Sequence, residues 1–230
     1  MTLQFNFFNN NVKPLLKFDF HIHSAYSFDS LLTPARIVEI SCRKGLDGIV
    51  VADHNTIRGG LETKDINRSP LVVIVGSEIK TEWGDVICLF LEKEITTRRF
   101  LEVAEEVRKQ EGIMILAHPY WKHTLSEELL GQVDLIETFN SRISPALNRK
   151  AVELALSRGL PQIAGSDAHL PWEIGKGITC FEVSAPPRDL KPMILKEKRN
   201  LVKVQSNPFD IVITQGIKLL RKKGLLKQMQ

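Results

Sequence analysis

The sequence predicts an α/β domain with a largely parallel sheet, of a size common among α/β barrels. Three observations carry this. Apolar runs of strand length alternate with amphipathic helical stretches. The ionisable side chains gather where the apolar runs stop. The chain has 230 residues, 43% of them hydrophobic, which suits one sizeable core.

The strand-like runs are 15–23, 48–54, 71–79, 85–91, 113–118, 135–140, 162–167 and 178–183. Helical patterns fall at 34–44, 97–110, 145–158 and 190–198, with a short one at 126–130 and a basic C-terminal helix within 207–230. Thr33 before Pro34 and Ser144 before Pro145 read as N-caps followed by proline at the first helical position. Gly45, Gly112 and Gly159 read as C-terminal stops. Thr81-Glu82-Trp83-Gly84 reads as a hairpin turn. Elsewhere strand and helix alternate, which argues for a parallel sheet. There is no internal repeat, low-complexity linker or evident domain boundary. The expectation is a single barrel domain over 1–230, with its core at 17–185 and a helical extension at 186–230.

A net charge of +4 tolerates an anionic ligand but falls short of the concentrated basic face of a dedicated nucleic-acid binder. Cys42, Cys88 and Cys180 are far apart and odd in number, which argues against a disulfide framework or a thiolate zinc site and fits a reducing cytoplasm. The N-terminus has no basic region leading into a long apolar one, and no apolar run is long enough to suggest a membrane span.

The chemistry concentrates at the strand ends. His21 and His23 end the first run, Asp53 and His54 the second, Glu78 the third, and Asp85 opens its hairpin partner. His118 ends the next, Glu137 and Asn140 lie in "DLIETFN", and Asp167 and His169 end another. Five of the 6 histidines occupy such places. Residues i and i+2 of a strand face the same way, roughly 6.5–7 Å apart, so His21 and His23 project together, as do Asp167 and His169. In a closed parallel barrel all these ends share the C-terminal face, where barrel enzymes place their chemistry. Imidazoles and carboxylates in this mix suit Zn, Mn or Fe, and a carboxylate such as Glu78 can bridge two cations. Taken singly, His118 could be a core histidine, Asp167 a helix cap and Asp29 a turn cap; the joint pattern favours a multinuclear metal site. His123 reads as a surface histidine.

"DFHIHSAYSFDS", "GIVVADHNT", "GSEIKTEWGD", "ILAHPY", "IETFNSR" and "GSDAH" resemble, in order, the motifs of the PHP (polymerase and histidinol phosphatase) family, over residues 17–185. The resemblance implies a distorted, TIM-like (β/α)7 barrel and hydrolysis of phosphoesters with two or three divalent metal ions. It implies that His21, His23, Glu78 and Asp167 hold the first ion, that Glu78 bridges to a second shared with His118, and that Asp29, His54 and His169 hold the third. Relatives often place a histidine where this sequence has Asp85; a carboxylate still ligates, so Asp85 is the candidate, with Glu137 and Asn140 as alternatives. Arg142 resembles an arginine that contacts the substrate phosphate, and a planar guanidinium suits that contact.

These residues together imply metal-activated water attacking phosphorus, with Arg142 stabilising the developing charge and His169 or Asp53 relaying a proton. Asp53 could equally orient His54. Lys122 and Arg58, just beyond strand ends, are further candidates for substrate contact. The expected substrate is a small phosphomonoester or nucleotide; nucleic acid is less favoured, because no aromatic and lysine interleaving marks a strand-binding groove. The rivals are amide hydrolysis on the same site and a non-catalytic RNA- or protein-binding module.

Overall fold

A computed structural model of the protein describes residues 15–185 and 187–229. The strands are β1 (Leu15–Ile22), β2 (Gly48–His54), β3 (Val72–Thr81), β4 (Gly84–Leu89), β5 (Ile113–Leu116), β6 (Leu135–Asn140), β7 (Gln162–Gly165), β8 (Gly177–Glu182) and β9 (Arg199–Lys203). The helices are α1 (Pro34–Arg43), α2 (Arg58–Ile66), α3 (Phe100–Lys109), α4 (Glu127–Leu130), α5 (Pro145–Arg158), α6 (Leu190–Lys196) and α7 (Pro208–Lys222).

One sheet runs in the order β7-β6-β5-β4-β3-β2-β1-β8-β9. β1 through β3 are parallel, β4 is antiparallel to both neighbours, and β5 through β7 are parallel again. A parallel bridge between Ile22 and Ala168 brings the end of β7 back to β1, with the His23 amide donating to the Ala168 carbonyl at 2.9 Å. This nearly closes a seven-stranded barrel. β8 and β9 continue outside it, β8 antiparallel to β1 and β9 antiparallel to β8.

The core follows from strand periodicity. Phe18, Phe20, Val50, Ile115, Leu135, Ile163 and Phe181 fill one cluster. A second cluster lies under α3, whose Phe100, Val103 and Val107 bury against Val86 and Leu116. The predicted helix starts hold: Thr33 accepts from the Arg36 amide, and Ser144 from the Leu147 amide, each ahead of a proline. The predicted hairpin also forms, with Thr81 paired to Gly84 and Gly84 at φ 128°.

Three local readings are revised. Gly112 is not the stop of α3; Glu111 takes the left-handed conformation at φ 52°. Gly112 is instead a close approach, where a Cβ would lie 2.8 Å from the Leu89 carbonyl oxygen. The segment beyond 185 supplies a strand, β9, as well as helices. α2 carries no sequence signal, since it opens on Arg58-Gly59-Gly60. Among the described residues no helix is long and apolar enough to cross a membrane. The reading of the extreme N-terminus lies outside the described residues.

Candidate metal centre

The barrel topology delivers the ionisable residues to one place. His21 is the penultimate residue of β1 with His23 just beyond the strand, and their ring centroids are 4.9 Å apart. His23 also lies 4.4 Å from His54 and 4.2 Å from His169, centroid to centroid. Ligand atoms converge in three overlapping groups, each lying within 4.8 Å of one another: His21, His23 and Glu78; Glu78, Asp85 and His118; and His23, His54 and His169. Asp167 Oδ1 approaches His23 Nε2 at 3.2 Å and His21 Nε2 at 3.7 Å. Asp29 approaches His169 Nε2 at 3.2 Å and His54 Nε2 at 3.5 Å. A concavity of about 1050 Å³ lies at the opposite end of β3 beside Val72, Arg68 and Phe90, away from these groups.

Hydrogen bonds behind the histidines fix which ring nitrogen is free. The Ser27 hydroxyl donates its one proton to Asp53 Oδ1 at 2.6 Å. It must therefore accept from His23 Nδ1, 3.1 Å away, which leaves His23 Nε2 as a bare lone pair. His21 Nδ1 donates to Glu137 Oε1 at 3.0 Å, so Nε2 is the nitrogen left to ligate once the ring is neutral. The two Nε2 atoms face each other at 2.9 Å. His169 Nδ1 donates to the Asp167 carbonyl at 2.8 Å, so its Nε2 lone pair faces Asp29 Oδ1, a buried atom with no hydrogen-bond partner. In the neutral forms that ligate, these lone pairs face one another and a carboxylate oxygen, an arrangement that a cation among them stabilises. The donor set of imidazole nitrogens and carboxylates fits a divalent transition metal.

The titration behaviour has the same origin. Burial, with the neighbouring His169 and His54, pulls the His23 pKa down to about 3. Burial also works against His21, but the charges of Asp167, Glu137 and Glu78 outweigh it and hold its pKa well above the ordinary imidazole value. Burial pushes Asp85 up, and the adjacent Glu78 charge pushes it further. His118 is raised to about 9 because Glu78 outweighs its burial.

Strain marks two of these positions. His118 has φ 28° and Asp167 φ 51°, in the left-handed region that side chains other than glycine rarely adopt. Such conformations cost roughly 1–3 kcal/mol each and persist only where the surroundings enforce them. The His118 amide donates to Glu137 Oε2 at 3.0 Å, and Asn140 Nδ2 donates to both Glu137 Oε2 and Asp167 Oδ2.

Glu137 is thereby occupied by His21, His118 and Asn140, and Asp85 is the carboxylate brought to Glu78 and His118. Asp53 is fully buried and accepts from the Ser24 amide, the Ser24 hydroxyl and the Ser27 hydroxyl. Arg142 turns its guanidinium to Thr214 Oγ1 at 2.6 Å, with Nε 3.7 Å from the buried Glu173. Lys122 and Arg58 are exposed, and neither belongs to the ligand groups. Sequence reasoning missed Ser24 and Ser27, although both sit in "HSAYSFDS" directly after the paired histidines. It also set His123 aside, yet that ring is half-buried, 5.7 Å from His118, with Nε2 2.9 Å from the Asp85 carbonyl oxygen.

Comparison with known proteins agrees with this architecture. The family model described as PHP-associated matches residues 145–193. Protein MJ0417 of Methanocaldococcus jannaschii is 35% identical over 208 residues, spanning 84% of this chain and 81% of that one. A two-domain protein of Bacteroides vulgatus, containing a predicted PHP-like metal-dependent phosphoesterase, superposes with TM-score 0.72 at 19% identity, over 92% of this chain and 74% of that one. Endonuclease Q, in complex with a 27-mer duplex bearing an abasic lesion, superposes with TM-score 0.55 at 19% identity, over 74% of this chain and 54% of that one. The two superpositions speak for the fold; the matched model, the extended identity with MJ0417 and the ordered motifs place this chain in the PHP family.

Proposed function

We propose that the protein is a metal-dependent phosphoesterase acting on a small phosphomonoester or nucleotide. The observation that carries this is the convergence of ligand atoms from His21, His23, Glu78, Asp85, His118, His54 and His169, with the unpartnered Asp29 Oδ1 beside them. His21, His23, Glu78 and Asp167 would hold one divalent ion, Glu78, Asp85 and His118 a second, and Asp29, His54 and His169 a third. Zn, Mn and Fe all suit the donors. When bound, the ions supply Lewis-acid polarisation of the phosphoryl oxygens and a lowered pKa for coordinated water.

The protein's own groups have separable tasks. Glu137 orients His21 through Nδ1 and pins the strained His118 backbone. Asp53 orients His23 through Ser27, and the Ser27 hydroxyl also accepts from the His54 amide at 3.1 Å. With both carboxylate oxygens of Asp53 taken by serine donors, its contribution is positioning rather than proton relay. Phe28 stacks on His54 at 4.6 Å and shields that ring from water. Lys122 and Arg58, both exposed, would meet a substrate arriving at the rim.

The test is metal content with phosphate release. The purified protein reconstituted with Mn, Zn or Fe should hold one to three ions per chain and release phosphate from an aryl phosphate. Chelation should abolish both. Absence of stoichiometric metal after reconstitution refutes the proposal.

A further inference from the structure

The C-terminal helix lies beside the loop that carries Phe28 and Asp29 to the histidine cluster. α7 meets the body along one stripe, Asp210, Thr214, Ile217 and Arg221, spaced as one helical face. The polar members are tied to segments at the barrel's C-terminal face. Asp210 accepts from Trp172 Nε1 at 2.8 Å and Lys176 Nζ at 3.1 Å. Thr214 Oγ1 accepts from Arg142, and Arg221 Nη1 donates to the Ser27 carbonyl. Beyond the helix, the Met229 amide donates to the Ala25 carbonyl at 3.3 Å. The helix and tail therefore run along the rim from the segment after β7 to the loop after β1.

Two cations on this helix sit beside the cluster. Lys218 Nζ lies 4.6 Å from the centroid of Phe28, the ring that stacks on His54. Arg221 is held at Ser27, two residues from Asp29, and Asp29 is the acid whose charge bears on it. Arg221 Nε is buried with no hydrogen-bond partner.

Charge balance gives these cations a purpose. Asp29, Glu78, Asp85, Glu137 and Asp167 together nearly cancel two or three divalent ions. The centre alone then offers a phosphate dianion little net attraction. Residues 208–229 carry Lys218, Arg221, Lys222, Lys223 and Lys227 against the single acid Asp210, and Asp210 is already paired with Lys176. Arg142, the cation suggested by sequence, is engaged with Thr214 and Glu173.

We infer that Lys218 and Arg221 form an anion subsite on the rim of the metal centre that binds the phosphoryl group of the substrate. This deepens the phosphoesterase proposal and rests on it. Arg221, anchored through Nη1 on the Ser27 carbonyl, offers the remaining N–H groups of its guanidinium edge, and Lys218 offers a mobile point charge. α7 is then a recognition element, and Arg142 is the positioning residue that holds it in place.

The test uses the full chain loaded with Mn. Lys218→Met and Arg221→Gln remove charge while keeping most of the volume, and Arg221→Lys keeps the charge. Inorganic phosphate binding is read by calorimetry, KM and kcat on an aryl phosphate, and metal per chain by elemental analysis. Each neutral variant should weaken phosphate binding and raise KM by about 10- to 50-fold, the scale of one charge-assisted contact. The loss should fall on KM more than on kcat, metal content should hold, and Arg221→Lys should recover part. Should Arg221→Gln displace α7, Lys218→Met still decides, since methionine can replace the contact with Phe28. A short single-stranded oligonucleotide forms a second arm. If it competes far better than inorganic phosphate, and loses that advantage in both variants, the bound phosphoryl group belongs to a polynucleotide; the converse assigns it to a small ester. Unchanged phosphate affinity and KM in both neutral variants, with a wild type that binds phosphate, overturns the subsite and leaves the phosphoesterase proposal standing. A metal-loaded wild type that neither binds phosphate nor hydrolyses any phosphoester overturns both.

Discussion

Ser27 donates its hydroxyl proton to Asp53 Oδ1 at 2.6 Å, and this single bond decides which nitrogen His23 presents to the centre. Asp53→Asn replaces one acceptor oxygen with an amide that cannot accept from Ser24 or Ser27. It should lower metal affinity about 10- to 100-fold, the range seen when an outer partner of a metal ligand is lost. Ser27→Ala should act in the same direction and more weakly. Metal titration with a competing chelator measures both. A role for Asp53 as proton donor predicts the opposite split, with kcat lost and metal affinity kept.

Glu78 belongs to two of the three ligand groups and faces His21, His23, His54 and His118 within 3.6 Å. Glu78→Gln removes the anion that separates adjacent cations. Bound metal should fall by at least one ion per chain, and turnover should be lost, with the circular dichroism spectrum unchanged. Near-normal activity with full metal content would make Glu78 an ordinary strand-end carboxylate.

The legible part of the site was the part that repeats a simple rule. His21, His54, Glu78 and Asp85 lie within strands, where alternation fixes the facing side, so the primary sequence places them. His118 and Asp167 lie beyond their strands in left-handed conformations that no periodicity announces. Arg142 looked free because it follows a strand by two residues; its partner Thr214 is 72 positions away, and no local pattern reveals that contact. The same limit applies to the fold. Strands with strong apolar runs were placed closely, whereas β9 has a mostly exposed pattern and α2 opens on two glycines.

Proton release accompanies metal loading. In the metal-free cluster His21 and His54 titrate well above the ordinary imidazole value of 6.5, and His118 near 9, because carboxylates outweigh burial. His118 carries its proton at pH 7.5, the upward shift of His21 and His54 favours theirs, and each ring must be neutral at the nitrogen that ligates. Loading should release about one to three protons per chain, and metal affinity should fall as the pH drops from 8 to 6. The metal-free fold has the opposite trend. Stability from a raised histidine pKa is fully present below 6.5 and is lost as pH rises through about 9 for His118. Calorimetry in buffers of different ionisation enthalpy reads the release, and thermal melts across pH read the stability. Loading without proton release would mean the histidines are already neutral.

Gly59 and Gly60 separate site architecture from ordinary packing. A Cβ on Gly59 would lie 2.0 Å from Asp53 Oδ2 and 2.1 Å from Ser24 Oγ, so any side chain there displaces the carboxylate that orients His23. On Gly60 the nearest atoms would be Val75 Cγ1 at 3.2 Å and the Val51 carbonyl oxygen and Val75 Cα at 3.3 Å, tight contacts that shifts of a few tenths of an ångström relieve. Both are buried near the start of α2, so alanine brings a comparable gain in helix propensity, about 1 kcal/mol. Gly59→Ala should nevertheless destabilise the fold by about 2–3 kcal/mol through overpacking and should lower metal affinity with it. Gly60→Ala should stay within about 1 kcal/mol of wild type and keep its metal. Thermal melts with parallel metal analysis compare the pair. Equal losses in the two variants would show that α2 responds to crowding alone, with no coupling from Gly59 through Asp53 to the centre.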